Sequence, residues 1–372
     1  MAFVDLKKQY EFLREDLDKR ISQAVRHFSF IQGPEVRELE EKLAKFTDLQ
    51  DCVTCANGTD ALTLPLIAWE VKAGDAVFVP AFTFIATAEV VALRGATPVF
   101  VDVDEATFNM DPIDLERKIK KVLAEGQLKP KAIITVDLFG LPADFWTISH
   151  IALRYNLYIL EDAAQAFGGE INGQKACNFG HAGATSFFPA KPLGCYGDGG
   201  AVLMSDPYLA KVVRSLRVHG AGAEKYLHER VGLNSRLDTI QAAILLGKFA
   251  ALPEELDKRE TVANWYRQKL KRVAWHPIVP EGFRSAYAQY TIRIRADFRA
   301  TLMEELKKRG IPTMIYYPRP LHLQPAFAGL GGRVGDCPTA ERLCDEVLSL
   351  PFHPYLTEED VDRVCSALSE LI

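Results

Sequence analysis

Short apolar runs rich in Val, Ile, Phe and Ala recur along this chain, at 76–80, 98–103, 132–138, 157–160, 184–188 and 201–204. Several are separated by stretches with helical periodicity, among them Asp111 to Leu123 and Phe145 to Tyr155. A parallel pair of strands needs a crossover long enough to hold a helix, so this alternation predicts a mostly parallel sheet covered on both faces. The fold class is α/β. Ahead of the strands, Pro34 to Phe46 reads as an amphipathic helix with proline in its first turn. From Ser235 to about Leu270 the pattern is helical for longer, and Pro253 is expected to break it and start a new helix. Beyond about Val273, a strand at 290–294 and helices at 300–309 and 358–371 predict a small α+β unit. The expected division is a large domain over 1–250 and a small one over 251–372.

Composition removes several classes of function. With 372 residues, 48% of them hydrophobic and 25% charged, the chain can bury a substantial core and resembles neither a disordered nor a fibrous protein. Its net charge of −5 is mild and its Lys and Arg are dispersed, so nothing points to nucleic acid or an anionic membrane. The N-terminal residues are charged from Asp5 onward and lack the apolar core of a secretion signal, and the stretch from Ala76 to Leu93 is broken by Pro80 and Glu89. A cytoplasmic location is expected. Seven scattered cysteines fit free thiols, and Cys52-x-x-Cys55 has no second pair or histidine cluster at metal spacing, so no metal is expected.

The chain lacks Gly-x-Gly-x-x-Gly after a strand, a P-loop and His-Glu-x-x-His, which withdraws support from nicotinamide, nucleotide-triphosphate and zinc-hydrolase chemistry. Its unusual segments stand at strand ends. The run 157–160 leads into Glu161-Asp162-Ala163-Ala164-Gln165, a carboxylate where a parallel sheet opens its ligand crevice. Lys191 lies between Pro189 and Pro192 in the stiff segment Ser186 to Gly194, where burial would lower its pKa and make its amine a nucleophile and base. Pyridoxal 5'-phosphate (PLP) chemistry needs such a lysine, and an anion that keeps the pyridine nitrogen protonated. Lys191 and Asp162 match the two roles. Asn57-Gly58-Thr59 opening a helix would hold the phosphate, with Ser186 as a further hydroxyl, and Phe84 would cover the ring face. Each feature alone also reads blandly, as a helix cap, a strand-end acid, a salt-bridge lysine or a core aromatic. The four together in this order point to the cofactor.

These residues resemble the DegT/DnrJ/StrS nucleotide-sugar aminotransferases, within the fold-type I PLP enzymes. The resemblance covers essentially the whole chain and is most specific at 161–168, 185–200 and 230–246. It implies that Lys191 holds the cofactor and moves the proton, that Asp162 pairs with the ring nitrogen and that Gln165 bonds the ring hydroxyl. It further implies that Gly58, Thr59 and Ser186 hold the phosphate. Members are homodimers with shared active sites, so the loop 232–238 would cross to the partner, Asn234 reaching its phosphate and Arg236 its sugar. From the residues alone, Asn234 or Ser235 reads as the cap of the helix that follows.

Within the family the likeness is to enzymes that transfer an amino group from glutamate to C-3 of a UDP-linked 2-acetamido-3-keto sugar. Members that accept the glucuronate form look to have His-Tyr-Pro where this chain has Tyr316-Tyr317-Pro318. A phenol there removes a possible cation near the C-6 carboxylate. Both the glucuronate and the uncharged sugar therefore stay open, with Tyr316, Tyr317 and His322 as candidate substrate contacts. Alternatives are a C-4 or dTDP-linked keto-sugar aminotransferase and a non-catalytic PLP-binding regulator. A dehydratase of the same fold would have histidine at Lys191.

Overall fold

The computed structural model describes residues 1–271 and 273–372. Helices α1 (Leu6–Arg26) and α2 (Pro34–Phe46) precede β1 (Asp51–Cys55), α3 (Gly58–Ala68), β2 (Asp75–Pro80), α4 (Ala86–Leu93) and β3 (Thr97–Val101). Then come α5 (Pro112–Glu125), β4 (Lys129–Val136), α6 (Phe145–Tyr155) and β5 (Tyr158–Asp162). The short strands β6 (Glu170–Ile171) and β7 (Gln174–Lys175) lead to β8 (Ala182–Ser186), β9 (Gly200–Met204), α7 (Pro207–Leu216) and α8 (Thr239–Lys269). After α8 follow β10 (Phe283–Arg284), β11 (Tyr290–Arg293), α9 (Ala296–Lys308), α10 (Pro338–Glu346), β12 (Val347–Leu350) and α11 (Glu358–Leu371).

Seven strands form the central sheet in the order β1-β9-β8-β5-β4-β2-β3. The neighbours from β3 through β8 run parallel, while β9 is antiparallel to both β8 and β1. The sheet is thus mostly parallel, as the alternation predicts. Its apolar strands are buried because helices cover both faces, and separate clusters of core side chains fill the two sides. Strand β1 is the one the pattern misses: Asp-Cys-Val-Thr-Cys is short and carries a single β-branched aliphatic residue. Its two cysteines are buried free thiols, and burial pushes both well up, so neither is a reactive thiolate.

Pro253 does not break the chain into two helices: α8 runs from Thr239 to Lys269 with Pro253 inside it. Pro253 is exposed, so the carbonyl one turn earlier that loses its N–H partner can be solvated, and α8 is held by packing against α1 and α2. Neither Asn234 nor Ser235 caps α8; Asp238 stands at the cap without a side-chain bond. Residue 250 accordingly lies within one helix. Val262 and Tyr266 from the C-terminal part of α8, with Leu270 just after it, join a further core cluster with β11, β12, α9 and α11. No helix among the described residues is long and apolar enough to cross a membrane.

Candidate active site

The site begins where β1 hands the chain to α3. Glu40 on α2 accepts the backbone N–H (2.9 Å) and hydroxyl (2.8 Å) of Thr54, together with Arg217 Nη1 (2.5 Å) and Arg214 Nη1 (2.8 Å). Burial opposes its ionisation, but the two arginines hold its carboxyl below the ordinary value. This network clamps the end of β1. Asn57 then caps α3, its Oδ1 accepting the Asp60 N–H at 2.8 Å, so the helix starts at Gly58 with its first amides lacking intrahelical acceptors. A Cβ built on Gly58 would stand 2.6 Å from Ser186 Cβ and 3.0 Å from its Oγ. Gly58 thus lets the start of α3 lie directly against Ser186 at the end of β8, a close-set cradle that any side chain would force apart. A positive helix end, free amides and the hydroxyls of Thr59 and Ser186 fit a phosphate. Gly58→Ala should therefore weaken phosphate-bearing ligands by about tenfold or more, because a tightly packed site resists an added methyl. Titration of the apoprotein with PLP checks this; unchanged affinity would remove the cradle.

The ends of β4 and β5 provide the second part. In their parallel register Val136 pairs with Asp162 and Thr135 with Glu161. Alternation puts Val136 and Asp162 on the face toward the cradle, and both line the pocket. Asp162 is buried, and its carboxylate accepts Thr87 Oγ1 at 3.0 Å and the Ala164 N–H at 3.2 Å. Burial raises its pKa, against the pull of those two donors and of Lys191. Gln165 is fixed at both ends of its amide: Oε1 accepts the Phe139 N–H (2.8 Å) and Nε2 donates to Tyr317 Oη (3.2 Å).

Lys191 stands on the turn after β8. That turn is closed by the Lys191 N–H donating to Phe188 O (2.9 Å) and the Cys195 N–H donating to Phe187 O (2.8 Å). Burial lowers the amine's pKa, and Asp162 partly restores it. The residues converge on a cavity of about 410 Å³ lined by Gly58, Thr59, Asp162, Gln165, Ser186 and Lys191, with Phe84, Tyr316 and Tyr317 on its remaining wall. A buried acid, an opposed amine and an anion cradle around one cavity suit a phosphorylated carbonyl cofactor.

Three residues expected at the site are not in this cavity. His322 is buried beside Phe100 in the turn after Pro320, its Nε2 hydrogen-bonded to Glu341 at 3.0 Å, and it does not line the cavity. Asn234 is exposed and Arg236 half-buried, and neither lines the cavity of its own protomer. The adjacent Ser235 Oγ does reach the site's frame, accepting the Ala56 N–H at 3.2 Å.

A model of the DegT/DnrJ/EryC1/StrS aminotransferase family matches residues 12–369. The chain belongs to this family. It is 45% identical, over 99% of both chains, to a UDP-2-acetamido-2-deoxy-3-oxo-D-glucuronate aminotransferase of Pseudomonas aeruginosa. A protein of Geobacillus stearothermophilus named a pleiotropic regulatory protein is 43% identical, covering 100% of this chain and 98% of its own. A UDP-N-acetyl-3-dehydro-alpha-D-glucosamine 3-aminotransferase of Acidithiobacillus ferrooxidans is 42% identical, covering 99% and 97%. A solved family aminotransferase from Brucella abortus superposes with a TM-score of 0.97 at 49% identity, covering 100% of this chain and 99% of that one.

The protein is an aminotransferase, and PLP is its cofactor; solved relatives exist in PLP and PMP forms. The cradle, the buried acid and the amine of this aminotransferase suit its phosphate, ring nitrogen and carbonyl in kind. Sequence reasoning missed Thr87 and the bond that Tyr317 makes to Gln165. Thr87 is one hydroxyl within an apolar helix, and only the fold brings α4 against β5. Tyr317, expected on substrate, lines the cavity and also bonds Gln165.

Proposed function

We propose that this aminotransferase moves an amino group from glutamate to C-3 of a UDP-linked 2-acetamido-2-deoxy-3-keto hexose or hexuronate. The full-length likeness to the two 3-aminotransferases, at 45% and 42% identity, carries the reading. When bound, the cofactor supplies the electron sink for the carbon that gains or loses the amine. The roles of the chain's own residues follow from the cavity. Lys191 holds the cofactor and moves the proton to and from the reacting carbon, its lowered pKa leaving more free base near neutral pH. Asp162, held by Thr87 and Ala164, sets a negative charge against the ring nitrogen; Gln165 bonds the ring hydroxyl; Gly58, Thr59 and Ser186 cradle the phosphate, and Phe84 covers the ring. These assignments are supported by the single cavity that holds all seven.

We further propose a homodimer in which Asn234 and Arg236 act in the partner's site. In support, Phe84 and Phe188 on the cavity wall are 55% and 53% exposed, and Tyr226 and Val231, on the segment leading to Asn234, are 82% and 93% exposed. The division near residue 250 is kept as part of this reading, supported by the separate core of Val262, Tyr266, Tyr290, Leu302, Leu350 and Val364, although apolar residues of 321–347 pack into the main core.

Within a single chain, before Arg236 of a second copy is added, the cavity composition supports the uncharged sugar. Lys191 is the one basic side chain among the described lining residues, Asp198 is also present, and burial raises the Tyr316 phenol so that it stays neutral. The test runs the reaction backwards: PLP-loaded enzyme is mixed with the UDP-linked 2-acetamido-3-amino glucose and glucuronate derivatives separately, following loss of the lysine-bound cofactor band. Faster loss with the glucose derivative is expected. Faster loss with the glucuronate would assign the carboxylate to Arg236 of the second copy, and no response to either would overturn the C-3 reading.

A further inference from the structure

On the sheet face opposite Asp162, two carboxyl groups are buried together. Thr135, Asp137 and Glu161 share that face by strand alternation, and Asp137 and Glu161 are both fully buried on neighbouring strand ends, close enough that each acts on the other's ionisation. No Lys, Arg or His among the described residues pairs with either. Cys177 is the other titratable group against them, with burial keeping its thiol protonated, and Asp162 lies through the sheet. Two adjacent carboxylates in a dry site cannot both be charged.

The bonding pattern tells the two acids apart. Glu161 accepts a backbone N–H on each oxygen, from Cys177 at 2.5 Å and from Phe179 at 2.8 Å. Asp137 accepts the Ala143 N–H on Oδ1 at 2.9 Å, while its Oδ2 has no donor. Burial raises Glu161 to about 7 against its two backbone donors and raises Asp137 further, so the Asp137 oxygen without a donor is where the more tightly held proton belongs.

We propose that Asp137 and Glu161 share one proton, resident on Asp137 Oδ2 and donated to Glu161, and that this bond is a positioning device for the cofactor anchors. Asp137 opens the turn that carries the Phe139 N–H, which holds Gln165, and its own N–H donates to the backbone oxygen of Asp162 at 3.1 Å. The pair thereby ties the two residues assigned to the cofactor ring to a single buried bond. Burial raises the pKa of Asp137 well above its ordinary value, so its contribution to stability is full below the unfolded pKa and is lost as pH rises through the folded one. Alkaline pH should therefore loosen both the fold here and the grip on PLP. The placement of Asp162 and Gln165 against the ring belongs to the reading above; the shared proton does not depend on it.

The two acids respond oppositely to amide substitution. Asp137→Asn keeps an acceptor for Ala143 and offers a permanent donor to Glu161. Glu161→Gln instead turns an NH₂ group against a backbone N–H. Thermal unfolding of the apoproteins and PLP titration, each from pH 6 to 9, are the measurements, with infrared difference spectroscopy for the acid carbonyl band. Asp137→Asn should fold, bind PLP like the wild type at neutral pH, flatten the alkaline decline and lack the band. Asp137→Ala should bind PLP about tenfold more weakly, since it leaves a buried carboxylate without its donor. Glu161→Gln should be less stable than Asp137→Asn at every pH. Equal damage from both amides, or a band surviving in Asp137→Asn, would overturn the shared proton. A flattened stability profile with unchanged PLP affinity in Asp137→Ala would overturn the positioning role alone.

Discussion

Replacing Lys191 with alanine lowers turnover by at least about a thousandfold, within the range by which a positioned proton-transfer group accelerates such steps, before counting loss of the cofactor's attachment. The same variant loses the visible band of lysine-bound PLP. Its fold should survive: the Lys191 side chain makes no ion pair among the described residues, and burial of its amine is unfavourable, as its lowered pKa records. Melting of the apoprotein should be close to that of the wild type. Rate measurement with glutamate, alongside circular dichroism, separates the chemical loss from unfolding. A variant that transaminated normally would remove Lys191 from the centre of the mechanism.

Asp162→Asn should lower turnover by at least about a hundredfold, the loss typical when one preorganised charge at a reacting centre is removed. Asparagine preserves the size of the side chain; its oxygen can keep the Ala164 N–H while its NH₂ donates to the Thr87 hydroxyl, which can accept as well as donate, so the main loss is the negative charge opposite the ring nitrogen. PLP affinity should fall together with rate. The absorbance of the bound cofactor should also respond, because the protonation state of its ring nitrogen changes. A variant with normal rate and normal spectrum would leave Asp162 as a structural acid only.

The parallel strands were legible because buried parallel strands are continuous apolar runs and the helices between them carry their own periodicity. Helices α2, α6 and α11 appear at the residues expected. Strand β1 was hidden because its burial comes from pairing with β9, far along the chain, rather than from apolar composition. Pro253 misled because local backbone preference was weighed without the two helices that brace α8. At the site, Lys191, Asp162 and the Gly58 helix start each had a bland reading and drew notice only as a set in one order, while the role of Gln165 came from the family resemblance. Thr87 carried no such signal, since one threonine in an apolar helix acquires its role only when the sheet folds. His322 looked chemical by residue type and proximity in sequence; it lies outside the cavity lining, hydrogen-bonded to Glu341 on α10. The Asp137 and Glu161 pair was beyond sequence reading, because strand register alone sets those two carboxyls side by side.

The central claim is that Lys191 is the amine on which the cofactor rides. Borohydride reduction of the PLP-loaded enzyme, which fixes a carbonyl cofactor to the amine holding it, followed by peptide mass mapping, tests it directly. The account predicts the cofactor mass on the peptide containing Lys191. Label on Lys248 instead, a buried lysine whose amine burial pushes down to about 8, would contradict it.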